Sequence, residues 1–145
     1  MTDKIILLVE DDPDDTELTM NAFRKLRVAN QVVVASDGQE AVDYLFGTGC
    51  HAGSGVQPVL VLLDMHLPKL DGGEVLRLIR ANEKTRLLPV VILTSSREER
   101  DVRESYEAGV NSFVQKPVDA TQFAEAIQQL GLYWLIMNEP PPKVG

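Results

Sequence analysis

Residues 5–15 read IILLVEDDPDD: five apolar residues, then Glu10, Asp11 and Asp12, a proline, and two further aspartates. The apolar run is continuous rather than alternating, which is how a strand reads when both faces of its sheet are covered. It is too short for the apolar core of a secretion signal and far too short to span a bilayer. Acids directly behind it place carboxylates at the C-terminal end of a strand. Three further runs share this character, at 32–35, 59–63 and 89–93, and a weaker one lies at 112–115.

Between these runs the apolar spacing changes to that of helices. Residues 16–27 carry Leu18, Ala22 and Leu26, and residues 39–46 carry Ala41, Val42 and Leu45. Residues 73–81 carry Val75, Leu76 and Ile79, and residues 98–108 carry Val102 and Tyr106 on one face. Residues 120–134 carry Phe123, Ile127, Leu130 and Trp134. Stop signals stand at Phe46-Gly47 and Ala108-Gly109. Five strand–helix units in strict alternation predict an α/β fold with a doubly wound parallel sheet. Right-handed crossovers then align the strand C-termini along one edge, where ligands bind. Residues 47–57 (GTGCHAGSGVQ) form a long glycine-rich connection. The domain is expected over 1–137, and 138–145, with Pro140-Pro141-Pro142, reads as an extended polyproline tail.

The chain has 145 residues, enough for one domain with a full core. Its net charge of −8 repels nucleic-acid backbones and anionic membrane surfaces, so neither is expected as a partner. A single cysteine, Cys50, cannot form an internal disulfide, and with no signal segment this points to the cytoplasm. Cys50 and the adjacent His51 are too few ligands for a closed zinc site.

The acids acquire meaning from where the fold puts them. Glu10 and Asp11 follow the first strand and Asp64 ends the third. If those strands are neighbours, the carboxylates converge, and like charges at close range raise one another's pKa or demand a cation. Carboxylates, a backbone oxygen and water suit Mg²⁺, which can also neutralise an incoming phosphoryl group. Asp12 reads instead as a helix N-cap, with Pro13 at the first helical position. Thr94 ends the fourth strand, where a hydroxyl can donate to a phosphoryl oxygen, while Ser95 and Ser96 suit caps of the next helix. Lys116 follows the fifth strand as a point charge that can balance the acids, and Lys116-Pro117 suits a cis peptide in a tight turn. Each feature alone is weak; acid, acid, hydroxyl and lysine at four strand ends together are specific.

From Lys4 to Leu135 the chain resembles the receiver domain of bacterial response regulators. The resemblance rests on Leu8-Val9-Glu10-Asp11-Asp12, Leu63-Asp64-Met65-His66-Leu67-Pro68, Leu70-Asp71-Gly72, Leu93-Thr94-Ser95-Ser96, Ala108-Gly109-Val110 and Lys116-Pro117. It implies a five-stranded sheet of order 2-1-3-4-5. It implies phosphorylation of Asp64 by a histidine kinase, with Mg²⁺ (or Mn²⁺) held by Glu10, Asp11, Asp64 and the backbone carbonyl of His66. Thr94 and Lys116 would bind the phosphoryl oxygens. Phe113 stands at the family's switch aromatic, often tyrosine, and its missing hydroxyl removes any hydrogen bond made there. A narrower likeness, carried by Pro13-Asp14-Asp15, the loop after Tyr44-Leu45-Phe46 and the tail after Trp134-Leu135, is to small response regulators that partner phytochrome histidine kinases.

Such a protein assists its own phosphorylation and dephosphorylation without turning over an independent substrate. With no output domain read after the receiver, the output is expected to be a binding event. Tyr133, Trp134, Leu135, Ile136 and Met137 are an apolar surplus that suggests a homodimer or partner surface. Three alternatives fit less well. An aspartate-nucleophile phosphatase wants an acid where His66 stands. A flavodoxin wants a phosphate-binding loop where Glu10–Asp15 would repel phosphate. A degenerate receiver acting only as a binding module would not need Asp11, Asp64, Thr94 and Lys116 intact.

Overall fold

The computed structural model describes residues 5–28, 30–47, 57–65, 67–94 and 109–132. Strands β1 (Ile6–Val9), β2 (Val32–Ala35), β3 (Leu60–Asp64), β4 (Val90–Thr94) and β5 (Ser112–Gln115) form one sheet. The order is β2-β1-β3-β4-β5, and every pairing is parallel. The described helices are α1 (Pro13–Lys25), α2 (Gly38–Phe46), α3 (Gly72–Ala81) and α4 (Ala120–Gln129). The expected helix at 98–108, Ser95, Ser96, Cys50, His51 and the tail at 138–145 lie outside the described residues. Among the described residues no helix is long and apolar enough to cross a membrane.

The pleat divides the core into two layers. Ile6, Leu8, Leu60, Leu62, Val91, Leu93 and Val114 pack under α1 and α4 with Phe23, Phe123 and Ile127. Leu7, Val9, Val61, Leu63, Val90 and Ile92 pack under α2 and α3 with Ala41, Leu45, Val75, Leu76 and Ile79. The three central strands are buried along their whole length, as continuous apolar runs require. The edge strand β2 leaves Val34 exposed.

Local capping sets the helix limits. Asp12 caps α1, accepting from the Asp14 and Asp15 N–H groups at 2.8 and 3.4 Å. The helix therefore starts at Pro13, three residues before the expected position 16. Its buried stripe is Thr19, Ala22 and Phe23, so Leu18, expected on the inner face, is instead 44% exposed. Asp37 caps α2 through the Glu40 N–H at 2.7 Å, and Gly47 ends that helix at φ 65°. Helix α4 stops at Gln129 rather than 134. The Gly131 N–H donates to the Gln128 carbonyl and the Leu132 N–H to that of Ile127, a Schellman ending with Gly131 at φ 71°.

Candidate functional site

The register of the sheet assembles the site. Val9 lies beside Leu63 across β1 and β3, so Glu10 falls level with Asp64. The two-residue alternation then puts three side chains on one face. Glu10 continues the row of Ile6 and Leu8, Asp64 that of Leu60 and Leu62, and Lys116 that of Val114, all toward α1 and α4. The Lys116 N–H donates to the Thr94 carbonyl at 2.8 Å, anchoring the end of β5 to β4. The Lys116–Pro117 peptide is cis, as its turn position suggests.

One ammonium meets three carboxylates there. Lys116 Nζ lies 2.6 Å from Glu10 Oε1, 2.8 Å from Asp64 Oδ2 and 3.2 Å from Asp15 Oδ2. The Glu10 side chain is 0% exposed, Asp64 8%, Lys116 12% and Asp15 31%. Burial, joined by the Asp64 carboxylate, raises the Glu10 pKa to about 7, although Lys116 pulls the other way. Burial also acts to lower the Lys116 pKa, but the hydrogen bond to Asp64 and the contact with Glu10 outweigh it and hold the ammonium above its ordinary range. Among the described residues the cluster thus sets one ammonium against three carboxylates.

A divalent cation fits that deficit. Glu10, Asp11 and Asp64 each offer a carboxylate oxygen, all within 4.8 Å of one another. Glu10 Oε1, though close to Lys116, has no well-directed hydrogen bond among the described residues. An all-oxygen donor set with one exposed acid, Asp11, open to water is the chemistry of a hard ion such as Mg²⁺ or Mn²⁺. The His66 carbonyl, the further ligand expected from sequence, lies outside the described residues.

The backbone around Asp64 is tightly constrained. A Cβ at Gly72 would sit 2.3 Å from the Asp64 carbonyl oxygen and 2.8 Å from Met65 Cα, so α3 begins directly against the strand end. The Gly72 N–H donates to the Met65 carbonyl at 3.1 Å. One step along, a Cβ at Gly38 would meet the Leu70 carbonyl oxygen at 2.0 Å, and Lys69 pairs with Asp37 at 3.4 Å. The loop after Asp64 is therefore clamped between α2 and α3.

These features, an acid pair level across β1 and β3 with a lysine at the end of β5, are those of a known family, and residues 6–128 match the response regulator receiver domain. The chain belongs to the response regulator receiver family. Among curated relatives, the receiver is 41% identical over 138 residues to the probable methanogenesis regulatory protein FilR2 of Methanothrix harundinacea, covering 94% of this chain and 87% of that protein. It is 36% identical over 132 residues to the response regulator Rcp1 of Synechocystis sp., covering 91% and 89%. Among solved structures it resembles the bacteriophytochrome response regulators AtBRR (54% identity, TM-score 0.82, covering 94% of this chain and 98% of that one) and RtBRR (50%, 0.85, covering 98% and 86%). It also resembles a Mn²⁺-bound form of Rcp1 (33%, TM-score 0.76, covering 97% and 99%). The likeness to phytochrome response regulators seen in the sequence is thus present in both sequence and fold.

The structure gathers Glu10, Asp11, Asp64 and Lys116 at one point and sets Thr94, 6% exposed, at the end of β4. Thr94 continues the row of Val90 and Ile92 on the opposite face of the sheet. Phe113 faces the same layer, paired in register with Ile92 and partly buried. Tyr133–Met137, expected as a partner surface, lie outside the described residues. Asp15 was not singled out as a site residue by sequence. Acids in a first helical turn read as complements of the helix dipole, and only the tertiary fold aims this one at Lys116.

Proposed function

We propose that this receiver accepts a phosphoryl group on Asp64 from a sensor histidine kinase of the phytochrome type and answers by changing its binding surface. The carrying observation is the position of Asp64, buried, level with Glu10 and bonded to Lys116 at 2.8 Å. Phosphoryl transfer needs positioning and charge neutralisation more than covalent machinery. Lys116 supplies a fixed positive charge, and the Gly72 contact fixes the Asp64 backbone. Glu10, Asp11 and Asp64, with the carbonyl of His66, would hold Mg²⁺. When bound, that ion supplies the positive charge that offsets the phosphoryl oxygens. Thr94 is the candidate hydroxyl for one of those oxygens. Drawing it inward would make room on the face it shares with Phe113, the candidate relay to the surface. The kinase assignment is supported by the likeness to AtBRR, RtBRR and Rcp1. Homodimerisation through residues 133–137, a cytoplasmic setting, and a domain over 1–137 with an extended tail at 138–145 complete the reading.

The decisive experiment is incubation with Mg²⁺ and acetyl phosphate or a phosphorylated phytochrome-type kinase. An acid-stable, base-labile adduct on Asp64, absent in Asp64→Asn, is expected. An adduct elsewhere, or none, refutes the assignment. Light scattering tests the dimer, which a monomeric mass in both states would exclude. Backbone NMR shifts on phosphorylation test the Phe113 relay, which fails if nothing moves beyond the pocket.

A further inference from the structure

We propose that Asp15 is a positioning residue that holds Lys116 in the unmodified protein and yields it to the phosphoryl group when Asp64 is modified. This rests on the phosphoacceptor reading above and goes beyond it by assigning a role to an acid outside the expected metal and phosphoryl set.

Lys116 carries three N–H groups and faces three carboxylates. It donates hydrogen bonds to Asp64 and Asp15 and lies in close ionic contact with Glu10. Two of its three N–H groups are thus engaged, so a phosphoryl oxygen competes with these carboxylates for the ammonium. In the transfer, the P–N bond of a phosphohistidine breaks and a P–O bond to an Asp64 carboxylate oxygen forms. The imidazole leaves with the bonding electron pair and takes up a proton from solvent. Asp64 thereby exchanges one negative charge for about −1.5 to −2 on the phosphoryl group, and the demand on Lys116 rises.

The three contacts do not yield equally. Glu10, 0% exposed and 2.6 Å away, has no access to water that could replace the ammonium. Asp64 carries the new group and draws the lysine with it. Asp15 is 31% exposed and makes the longest contact, 3.2 Å. Water can solvate it on release, and its place in the first turn of α1 sets its charge at the positive end of the helix dipole. Asp15 thus gives up Lys116 most readily, and its charge opposes retention of the phosphoryl group. Asp15→Asn removes both the competition and the repulsion. A partly buried ion pair at the rim of the site, screened by water on the Asp15 side, corresponds to about a two- to five-fold change in affinity.

The test titrates the full chain, in saturating Mg²⁺, with beryllofluoride as a tetrahedral mimic of the phosphoryl group. Binding is followed by calorimetry and by the Thr94 amide resonance. Asp15→Asn is expected to bind the mimic about two- to five-fold more tightly than the parent. Asp15→Glu, which restores the charge, is expected to return the affinity to the parent value. A merely structural contact predicts lower stability for Asp15→Asn with unchanged or weaker mimic binding, and that result overturns the proposal, as does failure of Asp15→Glu to reverse the gain. If the parent binds the mimic no better than Asp64→Asn, the phosphoacceptor reading itself fails and takes this inference with it. Tight binding by the parent with no effect of Asp15→Asn defeats the inference alone.

Discussion

Replacing Lys116 with methionine keeps the stem of the side chain and deletes the charge. In the native site the ammonium stands 2.6 Å from Glu10 and 2.8 Å from Asp64, side chains that are 0% and 8% exposed. Without it, two buried carboxylates lose the ammonium that faces both. Breaking a buried pair in this way costs about 3–5 kcal/mol when the remaining charge cannot escape. Here an escape exists, because Glu10, whose pKa already stands at about 7, can take up a proton. The cost is therefore set by pH. A carboxyl whose folded pKa is raised contributes stability that is complete below its unfolded value near 4.5 and is lost as pH rises toward the folded pKa. With Lys116 present that loss levels off at about pH 7. In Lys116→Met the folded pKa moves higher, so the loss continues at about 1.4 kcal/mol for each further pH unit.

The expected result is a small penalty at pH 6 and one about 2 kcal/mol larger at pH 8.5. Urea unfolding of both proteins at the two pH values, in chelator, measures it, and the parent subtracts every pH effect unrelated to this cluster. Adding Mg²⁺ should recover much of the difference at pH 8.5, since an ion at 100 times its dissociation constant stabilises the folded state by about 2.7 kcal/mol. A penalty independent of pH would refute the picture of Glu10 as the proton-accepting member of a charge-deficient cluster. A variant that gains nothing from Mg²⁺ would refute the assignment of the acids as cation ligands.

Gly72→Ala drives a methyl to within 2.3 Å of the Asp64 carbonyl oxygen, so it should cost about 2–3 kcal/mol and reduce adduct formation at Asp64, read by urea midpoint and phosphorylation yield. Arg80 donates to the carbonyls of Gly109, Arg86 and Leu88 and to Asn111 Oδ1 at 2.7–3.0 Å. No lysine ammonium spans that set, so Arg80→Lys should lose about 2 kcal/mol and speed amide exchange at Val90 and Asn111. Gly131→Ala meets no neighbouring atom but must hold φ near 71°, so it should cost about 1 kcal/mol in thermal unfolding without touching phosphorylation.

The sheet was legible because its signal is redundant. Each central strand is apolar on both faces, so every residue from Leu60 to Leu63 argues for the same environment, and the runs at 32–35 and 112–115 coincide with β2 and β5. Helix surfaces were harder. Leu18 fits an apolar stripe as well as Phe23 does, and only packing shows that Thr19, Ala22 and Phe23 form the inner face while Leu18 stays outside. The early end of α4 was missed because Leu130 and Leu132 continue the apolar pattern across Gly131, the residue that breaks it. In the site, Glu10, Asp64 and Lys116 announce themselves by standing at strand ends. Asp15 and Gly38 act through contacts between segments distant in sequence, and no local pattern encodes those, whereas Gly72 stands in the Leu70-Asp71-Gly72 motif close behind Asp64.

The same alternation that makes the sheet legible also explains how one modification could reach two surfaces. Glu10, Asp64 and Lys116 share the face covered by α1 and α4, whereas Thr94 and Phe113 belong to the face of α2 and α3. They meet only at the strand ends, where Lys116 donates its backbone N–H to the Thr94 carbonyl and its side chain to Asp64. A phosphoryl group on Asp64 would pull on Lys116 from one face and offer an acceptor to the Thr94 hydroxyl from the other. The apolar core beneath is close-packed and cannot absorb such a pull by gradual deformation. Relief must come at the rim, by release of Asp15 on the α1 side and rearrangement around Phe113 on the other. If so, Asp15→Asn should tighten the grip on a phosphoryl mimic while leaving the Phe113 resonances of the bound state unchanged, because the two responses leave the site through opposite faces of one sheet.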